Sequence, residues 1–157
     1  MSRHNQHYLI IMNNNTRQIT NSHSYYNPFP HHFHVGFGDF MRAMIKLTNL
    51  SFDVILDDLC FIAHKKKMMP DAPECIFEYL RQNGWHEHEL YFHSNITIDK
   101  FLDTTKEYPN RKYLILTRLN HKHYFIACED GVLFSDLHTT MRNKITKHSF
   151  HGCYWHD

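Results

Sequence analysis

The sequence predicts an α+β protein, with N-terminal helices packed on a C-terminal antiparallel sheet. Three observations carry that reading. Apolar residues recur at helical spacing in four blocks between Asp39 and Tyr108. From residue 111 the period changes to two. Asp130-Gly131 then stands between two such stretches as a two-residue hairpin turn. Helices first and a meander second is the order of an α+β domain, not of alternating βαβ units.

The elements follow in order. Residues 1–35, rich in Asn, His, Ser, Thr and Pro, hold one short strand pattern, Tyr8 to Met12. Pro28 and Pro30 exclude a helix after it, so an irregular arm is expected, anchored by Tyr25, Tyr26, Phe29 and Phe33. Residues 36–157 form a single domain. Asp39 is an N-cap candidate for "FMRAMIKLT", with Phe40, Ala43, Met44 and Leu47 on one face. Ser51 caps "FDVILDDLCFIAHKK", whose stripe is Val54, Ile55, Leu59 and Ile62. Asp71 and Glu74 make a capping box around Pro73 for a third helix stopped by Gly84. Thr97 opens a fourth, "IDKFLDTTKEY", closed ahead of Pro109. "KYLILTRL", "HYFIACE" and "VLFSDL" are strands, and at least one more is expected in "KITKHSFHGCYWHD".

Composition narrows the function classes. A chain of 157 residues, 42% hydrophobic and 15% aromatic, is long enough for one good core. The formal charge of +1 with scattered basic residues gives no nucleic-acid footprint, and Lys65-Lys66-Lys67 reads as a solvated helix end. No stretch reaches the ~18 apolar residues of a membrane span, and the N-terminus does not read as a signal peptide. A cytoplasmic protein is the expectation. Cys60, Cys75, Cys128 and Cys153 show no CxxC pairing, so reduced and mostly buried thiols are expected rather than a zinc site. Sixteen histidines should make bulk behaviour pH-sensitive below about pH 6.5.

The stretch "GFGDFMRAMIKLTNLSFDVILDDLCFIAHK" resembles the opening of a phage and bacterial family with a papain-like cysteine peptidase fold. Members typically read Gly-Asp-Cys, then an Arg-Ala pair three residues on. The likeness continues through "FEYLRQNGW", "TIDKFLDTTKEYPNRKYLILT" and "HKHYFIACEDGVLFSDL", and covers residues 36 to 137. The resemblance implies a cysteine nucleophile at the first turn of a helix, a histidine base from the sheet and a polar orienting group. Here the nucleophile position is Phe40. The histidine falls on His123, with His121 as a rival if the register differs by two. The third group falls near Ser135, Asp136 or His138.

A benzyl ring has neither a lone pair nor a proton to give, so no catalytic residue is expected and Phe40, His123 and Asp136 read as a degenerate site. Cys60 is expected to face the core, Cys128 lies deep in a strand, and only Cys153 in the tail has freedom to approach. The implied protein is an inactive member of small tailed-phage type that binds a host or phage protein, without cofactor or metal. Its groove would be formed by Phe40, His121, His123 and Tyr124, with Trp85 as a further candidate, and the ring of Phe40 would either plug the groove or anchor the partner.

Other readings are weaker. His32 with His34, and His121 with His123, could chelate a metal, but neither pair has a third ligand at a recognisable spacing. Gly36-x-Gly38 lacks a third glycine and carries Asp39 where a phosphate would approach. "HTT" at 138–140 has the form of a two-histidine phosphoesterase motif, but "HSN" at 93–95 does not match it. Asp39 and Arg42 read as structural. The rival class is an enzyme of altered chemistry, a metal- or His-dependent hydrolase using His121 or His123.

Overall fold

The computed structural model describes residues 22–26, 28, 38–88, 96–119, 122–135 and 150–157. The strand pattern at Tyr8–Met12, the anchors Phe29 and Phe33, and His32, His34, His93, His121, Asp136 and His138–Thr140 lie outside them. The described chain is α+β. In chain order it forms β1 (Ser22–Tyr25), α1 (Gly38–Thr48), α2 (Phe52–Lys66), α3 (Pro73–Gln82) and β2 (His86–Glu87). After these come α4 (Ile98–Thr105), β3 (Lys112–Leu119), β4 (Lys122–Glu129), β5 (Val132–Ser135) and β6 (Phe150–His156). One six-stranded sheet has the order β1-β5-β4-β3-β6-β2. Its pairs are antiparallel except β1 with β5.

Alternation along the strands divides the core in two. Leu114, Ala127 and Tyr154 point to one face, where α1, α2 and α3 bury Phe40, Met44, Leu47, Ile55, Leu59, Tyr79 and Leu80. Tyr113, Ile115, Ile126, Cys128 and Cys153 point to the other, covered by Ile98, Phe101 and Leu102 of α4. The continuous apolar run Tyr113–Leu116 fits a strand covered on both sides.

Most termini obey the sequence signals. Ser51 Oγ accepts from the Val54 N–H at 3.4 Å, and Thr97 Oγ1 from the Lys100 N–H at 3.5 Å. Gly84 turns the chain after α3 with φ +74°. Asp130 (φ 52°) and Gly131 (φ 73°) make the expected turn, both residues being left-handed as a type I′ hairpin requires.

Several expectations need correction. Helix α3 begins at Pro73 with Ala72 as its cap residue and no side-chain capping bond, so Asp71 sits one residue too early for a capping box. Helix α4 ends at Thr105, short of Tyr108, where the backbone tightens into three-residue turns, the Glu107 and Tyr108 N–H groups donating to the Thr104 and Thr105 carbonyls at 3.3 and 2.9 Å. Val54 is exposed and Ala63 takes its place in the α2 stripe. Cys60 is exposed rather than core-facing. Within the stretch read as an irregular arm, Ser22–Tyr25 adds a parallel edge strand to β5, and the Tyr26 N–H continues it by donating to the Ser135 carbonyl at 2.8 Å.

Candidate functional site

Helix α1 starts against the middle of β4, and that junction builds the site. Gly38 is buried there, and a Cβ at this position would lie 3.3 Å from Nη1 of Arg42, whose guanidinium folds back over it. Asp39 stands inside the first turn, so it is not the cap residue the sequence suggests. Its Oδ2 instead accepts the Phe125 N–H at 2.6 Å. Among the described residues β5 pairs with β4 over Ala127–Glu129, and at Phe125 the backbone donor is taken up by Asp39. Burial pushes the Asp39 carboxyl above its usual range, while the N–H groups of Phe125, Phe40 and Asp39 itself and the charge of Arg42 pull it back. Farther along, Lys46 Nζ meets Glu129 Oε2 at 2.6 Å, a second clamp between α1 and β4.

Phe40 is fully buried. Its ring meets Tyr79 edge-on at 6.1 Å and Phe125 at 5.3 Å. It therefore offers a partner no surface, and of the two roles left open by the sequence only the buried one fits. Beside it lies a pocket of about 150 Å³ lined by Asp39, Asp71, Pro73, Ile76, Phe77, Leu116, His123 and Phe125. Apolar side chains make the floor, and Phe77 remains 42% exposed next to Tyr154, so the groove has an aromatic lip.

The predicted residues divide sharply. His123 reaches the groove, as strand alternation places it with Phe125 on the helix-covered face. Tyr124, one residue on, packs with the α4 cluster on the opposite face and does not line the groove. Trp85 is buried in the core beneath α1 and α3, against His156, and lines a different cavity. Ser135 is buried on β5.

The thiols are equally distinct. Cys75, Cys128 and Cys153 are buried, and burial raises all three, Cys128 to about 12 and Cys153 well above its ordinary value. Cys153 is thus a core residue of β6 rather than a mobile tail thiol. Cys60 faces solvent on α2.

A further histidine, not singled out by the sequence, comes to the rim. The β3–β6 register pairs Leu116 with Gly152 and Thr117 with Phe150, which leaves His151 as the extra residue of a bulge. Its ring lies 6.0 Å from that of His123 at 65°. Arg118, directly opposite His123 on β3, completes the rim. Desolvation first, then His123 and Arg118, lower the His151 pKa from 6.5. A one-residue bulge leaves no mark in a period-two pattern, so nothing in the local sequence announced this pairing. Among the described residues no group of three or more His, Cys, Asp or Glu side chains is placed to hold a metal ion, and no helix is long and apolar enough to cross a membrane.

No protein-family model, curated protein or solved structure matches the chain.

Proposed function

We infer that this is a catalytically inactive papain-like domain of phage type, which works by holding a segment of a host or phage protein in the groove beside α1. One observation carries the reading. The position that the family resemblance gives to the nucleophile is filled by Phe40, with no exposed surface and no reactive atom. The buried Cys75, Cys128 and Cys153 are poor thiolate sources, and the exposed Cys60 lies on α2, outside the groove lining. What the groove offers is contact: Ile76, Phe77, Leu116 and Phe125 for an apolar side chain, with Asp39, Asp71 and His123 at its margin.

The test is affinity for a co-purifying protein partner, measured with point variants. Phe77→Ala and His123→Ala should each weaken it at least fivefold, while Phe61→Ala, on the exposed side of α2, should leave it unchanged. The reverse pattern moves the partner to α2 and removes the groove from consideration.

A second reading, an enzyme of altered histidine-dependent chemistry, has the His123–His151 pairing in its favour. Turnover of an ester or phosphodiester substrate that is abolished by His123→Ala would establish it and displace the binding reading.

A further inference from the structure

The polar rim beyond the groove has a chemistry of its own. Residues 112–128 and 137–156 contain no Asp or Glu, but carry six Lys or Arg and six His. Glu129, Asp130 and Asp136 stand between the two stretches, so the basic character belongs to each stretch and not to the whole C-terminal half. From these two stretches the fold gathers three side chains, one from each of three strands, on one face of the sheet. Arg118 of β3 and His123 of β4 are direct cross-strand partners. His151 of β6 is brought to His123 by the bulge. Bulges commonly re-aim a single side chain beside a site, and without this one strict alternation would give residue 151 a regular place in the ladder.

Two imidazoles alone would suit a divalent cation. A guanidinium beside them does not, because it stays positive at any accessible pH and repels a metal ion. The same group reverses the preference, since Arg118 stands directly opposite His123, whose ring lies 6.0 Å from that of His151, and a guanidinium beside imidazoles suits a negative charge. A tetrahedral oxyanion, with oxygens directed at three separate donors, uses all three strands.

We propose that Arg118, His123 and His151 form a binding site for a phosphoryl oxyanion, either free phosphate or the phosphate of a nucleotide. The site adjoins the groove but does not rest on the peptide-binding reading, because neither Arg118 nor His151 lines the groove. Asp39 of α1 and Asp71 ahead of α3 flank His123 on the groove side. Their charge directs the anion to the Arg118–His151 side.

Calorimetric titration of the full chain tests this, with inorganic phosphate and adenosine monophosphate as probes and acetate at matched ionic strength as the control. Saturable binding of phosphate, at least fivefold weaker in Arg118→Ala and His151→Ala, supports the site. Adenosine monophosphate binding markedly tighter than inorganic phosphate assigns it to nucleotides; equal binding assigns it to the free ion. Arg118→Glu changes only an exposed side chain and should abolish binding without disturbing the fold, and His64→Ala on α2 should have no effect. Equal affinity for acetate, or binding unaltered by Arg118→Glu, overturns the proposal. Phe77→Ala separates it from the groove, for that change should spare phosphate while weakening a protein partner.

Discussion

The first turn of α1 and the rim at His123 lie on the same face of the sheet and flank the same pocket, yet their side chains are used in opposite ways. At α1 everything turns inward: Phe40 fills the space between Tyr79 and Phe125, and the Asp39 carboxylate is committed to the Phe125 N–H. At the rim Arg118 and His123 are exposed, and a bulge adds His151 from a third strand. A helix start of this kind can activate a thiolate, whereas here it supplies packing and strand-end hydrogen bonding. Groups able to carry charge or move a proton have collected a few residues away. The contrast separates what holds this corner together from what could act on a ligand, and substitutions should expose it.

Phe40→Ala should have the largest effect, costing about 3–5 kcal/mol as a buried aromatic is replaced by a cavity. Urea denaturation measures it, and a loss below about 1 kcal/mol, within the range of surface substitutions, would mean that the ring is not the plug described. Asp39→Ala should cost less, about 1–3 kcal/mol, because it strands a backbone donor. Its signature is local: the Phe125 amide should exchange with solvent faster than its neighbours on β4. Uniform exchange along the strand would show that Asp39 does not secure this point.

Tyr79 offers a gain. Its hydroxyl is the buried side-chain polar atom without a hydrogen-bond partner among the described residues, and burial raises its pKa to about 12. Tyr79→Phe keeps the edge-on contact with Phe40 and removes the unpaired group, so stability should rise by about 1 kcal/mol. A loss of similar size would reveal a hydrogen bond at that oxygen.

The helical half of this arrangement was largely legible. Ser51, Thr97, Gly84 and the Asp130-Gly131 turn signal themselves through local backbone chemistry, which a sequence displays directly. What stays hidden from the sequence is which face a residue takes. Tyr124 differs from His123 by one strand position, which sends it to the α4 side, and Cys153 reads as a loose terminus in the sequence because the pairing of β6 beside β3 is a long-range event. Asp71 and Asp39 have the right residue type for caps, but Asp71 falls one residue before the cap of α3 and Asp39 falls inside the first turn of α1. The groove shares that limit, since no local pattern sets Ile76 and Phe77 of α3 around one pocket with Leu116 of β3 and Phe125 of β4. The two basic stretches, on either side of the acids at 129–136, show in the order of charges, but net charge averages them away.

His151 gives the finest discrimination between the two regions. Desolvation and its positive neighbours hold its folded pKa below 6.5. At pH 7.5 the imidazole is neutral in both folded and unfolded chains, and its contribution to stability is complete. As pH falls past 6.5 the unfolded chain takes the proton first, so the folded state loses stability until the lower folded pKa is passed. Wild type should therefore lose more stability than His151→Asn between pH 7.5 and 5.5, a comparison that cancels the other fifteen histidines. An oxyanion at the rim favours the protonated imidazole and raises that folded pKa, so saturating phosphate should shrink the difference. Phe40→Leu, which alters the corner without touching the rim, should leave the pH term in place while lowering stability at every pH. If it removed the pH term as well, corner and rim would be one coupled unit rather than two.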